Sequence, residues 1–221
     1  MRVVVLGATG MLGSRIVAEA ADRGHHVTAV SRSGGRCRDG VVATIGDAAD
    51  RERMRSVFLS SDVVIAATRP APGEPGEVAA LTDGLLGVAI DTDTRIIVIG
   101  GAGPLRSPSD PRVLVVDDPR YVRPEWRASA ELSVAQLRAC SGRPEADCTY
   151  VSPPAMIAPG RRTGRYRRGT TDLLVDRDGN SAIAAEDFAV AVVDELETPG
   201  HDRHFTVARL VEPSTGEDID A

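Results

Sequence analysis

The sequence predicts an α/β fold, a doubly wound parallel sheet with helices on both faces, and three observations predict it. Val3, Val4, Val5 and Leu6 form an apolar run of strand length with no polar alternation, the pattern of a parallel strand buried on both faces. Gly7, Gly10 and Gly13 then break that run into a helix on which Leu12, Ile16 and Ala20 recur every four residues. Further apolar strands alternate with helical patterns down the chain, which specifies a parallel sheet whose ligands lie beyond the carboxyl ends of its strands.

The glycine spacing has a chemical reading. Gly7 lets the chain turn sharply out of the strand, Gly10 lets backbone approach a pyrophosphate, and Gly13 lets the helix pack close to the sheet. The first helical turn has unpaired N–H groups and the positive end of the dipole, so it accepts a diphosphate without a cationic side chain. Gly7, Thr9, Gly10, Met11, Leu12 and Gly13 are therefore expected to cradle a dinucleotide in a Rossmann-type fold.

Arg23-Gly24-His25-His26 makes the next turn, and Val27 to Val30 the second strand. In NAD sites an acidic residue at the end of this strand accepts hydrogen bonds from the ribose 2′-hydroxyl. Here Ser31 and Arg32 stand in its place, with Arg36 close behind. A guanidinium pairs with a 2′-phosphate that a carboxylate would repel, so NADP (NADPH) is the expected cofactor and NAD the less favoured one. Val41 to Ile45 is the third strand, ending at Asp47, which is placed to meet an adenine amino group; a short helix, Arg51 to Phe58, follows. Asp62 to Ala67 is the fourth strand, and the small Ala66 and Ala67 leave room for a ribose beside the backbone before Thr68 opens a Pro/Gly-rich loop through Arg69 and Pro70 to Gly76. A helix over Val78 to Ala89 leads to the fifth strand, Arg95 to Ile99, which ends in Gly100-Gly101-Ala102-Gly103.

From Pro104 to Pro124 the chain reads as a long loop with one apolar island, Val113 to Val116, and a loop of this length is usually functional or disordered. Trp126 to Cys140 has helical spacing, and Thr149 to Val151, the sixth strand, runs into Ser152-Pro153-Pro154-Ala155-Met156. Residues 151–211 form a smaller, irregular portion on the substrate side. It holds arginines at 161, 162, 165, 167 and 168, the segment Thr171 to Val175, a helix over Glu186 to Leu196 and a last strand, Phe205 to Leu210. Asp176-Arg177-Asp178-Gly179-Asn180 lacks the distal ligands of a calcium loop and reads as a hairpin turn. Residues 1–211 are expected to form a single NAD(P)-binding domain, and 212–221 a flexible acidic tail.

Composition narrows the chemistry. A hydrophobic content of 42% with 26% charged residues is ordinary for a soluble protein, and the first apolar run is too short for a signal peptide or membrane span, so the cytosol is the default compartment. The net charge of -6 argues against a nucleic acid partner. Cys37, Cys140 and Cys148 have neither disulfide-framework nor zinc-site spacing, and no metal is expected. All 26 basic residues are arginine, which excludes a Schiff-base lysine, a Walker A lysine and a Tyr-x-x-x-Lys pair.

With the glycine motif, the Ser31-Arg32 position, Gly100 to Gly103, Ser152-Pro153-Pro154 and the stretch 181–189 in hand, the chain resembles the atypical short-chain dehydrogenase/reductases. Within them it is most similar to the NmrA-like and NAD(P)H-flavin reductase (biliverdin reductase B-like) groups, over roughly residues 1 to 210. That resemblance implies that Gly100, Gly101 and Ala102 and Pro153, Pro154 and Ala155 flank the nicotinamide. Tyr121 lies just before the Trp126 to Cys140 helix, where the tyrosine of the superfamily often stands, but position 125 is Glu. Tyr121 is thus the candidate proton donor without its usual partner. Two functions follow: reduction by NADPH of a flavin, quinone-like or tetrapyrrole acceptor, a small molecule of aromatic and anionic character that arginines 161–168 could meet; or a non-catalytic NADP-sensing regulatory protein. A nucleotide-sugar epimerase or dehydratase is weakened by the small C-terminal portion and the absent pair.

Overall fold

The structure is a computed structural model that describes residues 1–34, 38–68 and 74–210; Arg36, Cys37, Arg69, Pro70 and the expected tail at 212–221 lie outside the described residues. The first half alternates β1 (Arg2–Leu6), α1 (Met11–Asp22), β2 (His26–Ser31), β3 (Val41–Ile45), α2 (Arg51–Leu59), β4 (Val63–Ala66), α3 (Pro75–Asp91) and β5 (Arg95–Ile99). The second half contributes β6 (Arg106–Ser107), β7 (Asp110–Leu114), α4 (Arg127–Ser141), β8 (Cys148–Ser152), β9 (Met156–Ala158), β10 (Tyr166–Gly169), β11 (Ala182–Ala184), α5 (Ala185–Glu197) and β12 (His204–Arg209).

Eight strands form one sheet in the order β10-β12-β8-β5-β4-β1-β2-β3, in which β10 alone runs antiparallel to its neighbour. Alternate side chains of β1 feed two cores. Val3 and Val5 pack with Ile16 and Ala20 of α1 and Phe188 and Val192 of α5, whereas Val4 and Leu6 pack with Met54 and Phe58 of α2 and Leu85 and Leu86 of α3. A strand covered on both faces needs apolar residues at every position, which is why this run shows no alternation. Local chemistry fixes the helix starts. The Asp50 carboxylate accepts the Arg53 N–H at 3.0 Å, Pro75 opens α3, and Glu186 and Asp187 occupy the first turn of α5.

Three expectations for the second half need correction. The 104–124 segment is no structureless loop: β6 and β7 pair as a small antiparallel ribbon, Val115–Asp117 is a 3₁₀ turn, and all of it is gathered on the buried Asp118 carboxylate. That group accepts from the Ser107 hydroxyl at 2.5 Å, the Ser109 hydroxyl at 3.2 Å and Arg120 Nη2 at 2.8 Å. Residues 166–169, read as part of an irregular arginine cluster, form the edge strand β10 against β12. Asp176 to Asn180 is a turn, closed by Asp176 N–H to Asn180 O at 2.8 Å, but its flanks belong to different sheets, since β10 pairs with β12 and β11 with β9, so it is not a hairpin.

Candidate functional site

Sequence order reverses at β1, which has β2 on one side and β4 on the other, and a crevice opens there at the carboxyl ends of the strands. It widens into a cavity of about 690 Å³. The lining residues follow the sheet: Asp47 after β3, Ser31 and Arg32 at β2, Gly7, Thr9, Gly10, Met11 and Leu12 after β1, Ala67 and Thr68 after β4, Gly100 to Gly103 after β5, and Pro153 to Ile157 after β8. Five strand spacings separate β3 from β8, or about 24 Å, a span that suits an extended dinucleotide better than a mononucleotide.

At the middle of this span the backbone is built for close approach. Gly7 has φ 77° and a Cβ there would fall 2.4 Å from Ala67 O, so only glycine turns the chain out of β1. A Cβ on Gly13 would fall 2.1 Å from Gly7 O; this glycine is buried under α1 and does not line the cavity. A Cβ on Gly10 meets protein only at Gly7 O, 3.2 Å away, and otherwise points into open space. Helix α1 begins there with no side-chain cap and no acidic residue in its first turn, so its leading N–H groups face the cavity unpaired. An anionic phosphate fits this arrangement.

At the β2 end, the Ser31 hydroxyl donates to Gly34 O at 3.2 Å, which leaves it an acceptor toward any ligand. Arg32 is exposed, lines the cavity and has no ion pair or hydrogen bond among the described residues. One oxygen of Asp47 accepts the Ala49 N–H at 3.0 Å, leaving the other free. Ala66 is fully buried within β4 and contributes no surface to the cavity, so that expectation shifts to Ala67 and Thr68.

The opposite end is shaped by a residue that the sequence reading missed. Tyr150 of β8 lies beneath Gly100 and Gly101, its hydroxyl donating to Ser133 O on α4 at 2.9 Å and accepting the Gly101 N–H at 3.4 Å. Burial pushes its phenol well above the usual range. Pro153 and Pro154 continue the wall, and Ala155 N–H is held by the Ser181 hydroxyl at 3.3 Å. Below them the Ser152 hydroxyl meets His204 Nε2 at 2.9 Å, and burial lowers His204 to about 4. Tyr121 and Val122 close the wall from the Asp118-centred segment, in one apolar cluster with Ala102 and Ala155 built on Leu105, Val115 and Leu173. The Tyr121 hydroxyl has no partner among the described residues.

Among the described lining residues, the ionisable groups are Arg32, Asp47 and Tyr121. The first two stand at the β2 and β3 end, which leaves Tyr121 alone beside Gly100 to Gly103 and Pro153 to Ala155. Glu125, four residues on from Tyr121, is exposed and paired with Arg123. The arginines at 161–168 do not line the cavity, which corrects the expectation that they meet a substrate. Arg162 clasps Glu19 at 2.7 and 2.8 Å, Arg168 pairs with the buried Glu195 at 2.8 Å, and Arg167 donates to Val175 O and Arg209 O. They fasten the C-terminal portion to α1, α5 and β12.

Fold and cleft together define a Rossmann-type nucleotide-binding protein. The chain belongs to the NAD(P)H-binding family, whose model matches residues 7–199. YwnB of Bacillus subtilis (strain 168) is 32% identical over 215 residues, 96% of this chain and all of that protein. A 3-diazoavenalumate denitrifying reductase of a Streptomyces species is 31% identical over 191 residues, 79% of this chain and 62% of that protein. The crystal structure of SP1627, a candidate NADH-flavin reductase of Streptococcus pneumoniae TIGR4, superposes with a TM-score of 0.85 at 27% identity, covering 95% of this chain and all of that one. No helix among the described residues is long and apolar enough to cross a membrane.

Proposed function

We propose that this chain is an NADPH-dependent reductase that delivers hydride to a planar acceptor of flavin, quinone or tetrapyrrole type. The observation that carries this reading is the near absence of proton machinery where the nicotinamide would lie: Tyr121 is the one ionisable group among the described residues of that wall. A simple ketone becomes an alkoxide on accepting hydride and needs a positioned acid. A conjugated ring system spreads the incoming charge and takes a proton from water, so the protein need only orient it and exclude solvent.

The chain's own residues divide the work. The uncapped start of α1 with Gly10 holds the pyrophosphate, Arg32 takes a 2′-phosphate, and Asp47 accepts from the adenine amino group. Ala67 and Thr68 border the ribose, and Gly100 to Ala102 with Pro153 to Ala155 border the ring. A bound nicotinamide supplies the hydride. Tyr121 shields the ring edge and is the nearest hydroxyl for a proton. The reductases among its relatives support this reading, as the absent Tyr-x-x-x-Lys pair does. The same scarcity of acids suits a second reading, a regulatory protein that senses NADP and does no chemistry. NADPH oxidation measured with a panel of flavins, quinones and biliverdin decides between them: acceptor-dependent oxidation is expected, and tight NADPH binding without turnover would favour the sensor.

A further inference from the structure

The chain has one tryptophan, and it stands in the wall of the cavity at the threshold of α4, 37% exposed. Arg123 stands over this ring, its guanidinium carbon 3.9 Å from the ring centroid. Tyr121 flanks the same wall, with Arg120 5.6 Å from its ring. Of the three arginines on this stretch, two are committed: Arg120 clasps Asp118, and Arg127 bridges Asp117 at 2.7 Å and Glu131 at 3.0 Å. Arg123 has only a contact of 3.2 Å with Glu125, and both side chains are more than half exposed. A pair of that kind contributes little stability, so the guanidinium is free to exchange its partner for an anion on a ligand.

An indole covered on one face by a guanidinium keeps its other face for stacking, with a cation held on the far side of the ring. The geometry points to Trp126 and Arg123 as an acceptor subsite for a planar aromatic ring bearing an anionic substituent: the ring stacks along Trp126 and Tyr121 inside the cavity, and the anion reaches past the indole to Arg123, which does not itself line the cavity but stands beside it between the lining residues Val122 and Trp126. This subsite rests on the reductase reading for the identity of its occupant as an acceptor. It places anion recognition on the 118–126 segment.

FMN and riboflavin share one ring system and differ in an anionic phosphate, so together they test the subsite. The NADP-loaded protein is titrated with each while Trp126 emission is followed. Quenching by both is expected, with FMN binding about fivefold tighter. Arg123→Gln brings the ratio toward one, and Arg123→Lys keeps part of it. Equal affinities in the unaltered protein, a ratio unchanged in Arg123→Gln, or no quenching would overturn the subsite. NADPH oxidation is followed in parallel. Preferential quenching without oxidation overturns the reductase reading alone, and oxidation without preference overturns the subsite alone.

Discussion

The Tyr150 hydroxyl lies 1.9 Å from the point where a side chain on Gly100 would begin. The end of β5 and the ring on β8 are therefore one unit, and the cavity wall at Gly100 and Gly101 has its height set by a buried phenol. Gly100→Ala forces the two apart. We expect a loss of about 1 to 3 kcal/mol in a urea melt together with weakened NADPH binding, as overpacking of a tight site does. Tyr150→Phe keeps the ring, removes the phenol's bonds to Ser133 O and the Gly101 N–H, and should lower stability by about 1 kcal/mol.

Gly10 and Gly13 separate binding from folding. Gly10→Val puts a side chain into the space read as the phosphate site, with protein contact only at Gly7 O. Nucleotide binding should be lost in calorimetry while the circular dichroism spectrum is retained. Gly13→Ala drives a methyl to 2.1 Å from Gly7 O, and should lower Tm before any effect on affinity is separable. Wild-type affinity in Gly10→Val would mean that the phosphate lies elsewhere.

Arg32 sets the expected cofactor preference. A charge-assisted contact to a 2′-phosphate contributes about 1.5 to 3 kcal/mol, so NADPH should bind about ten- to a hundredfold tighter than NADH. Arg32→Asp should reverse the order. Equal binding of the two by the unaltered protein would contradict this assignment.

Acid should destabilise the fold in two steps. Burial lowers His204 from 6.5 to about 4, so the unfolded chain takes up a proton that the folded chain refuses. Stability is then full above pH 6.5 and falls as pH drops toward 4. His204→Gln should flatten Tm against pH across that window. Burial raises Asp118, but Arg120, Ser107 and Ser109 outweigh it and hold the group at about 2 against 3.8. Its contribution is present above pH 3.8 and lost as pH falls through 2, which proteolysis of the 104–123 segment over that range would report.

The parallel sheet and its cleft were readable because their signals are local. Val3 to Leu6, the glycines after them and the small residues after β4 and β5 each carry their signal within a few positions, and the structure brings Gly7, Gly10, Ala67 and Gly100 to Gly103 to one cavity. The residues that were missed act through partners distant in the chain. Tyr150 looks like any aromatic in an apolar strand until Gly100 and Ser133 are folded onto it. Arg162 looked available for a ligand because Glu19, its partner, is 143 positions away. Asp118 stood in a Pro- and Asp-rich segment where its serine partners carry no recognisable spacing. Strands β9, β10 and β11 have three or four residues each, too few for a period to show.

A cofactor cleft beside a wall poor in acids has a signature in steady-state NADPH consumption. Free flavin, a quinone and biliverdin should each be compared with a simple secondary ketone and a secondary alcohol. Oxidation of NADPH above background with a ring-delocalised acceptor, and little or none with the ketone, is the expected result. Brisk turnover of the ketone or the alcohol would contradict it.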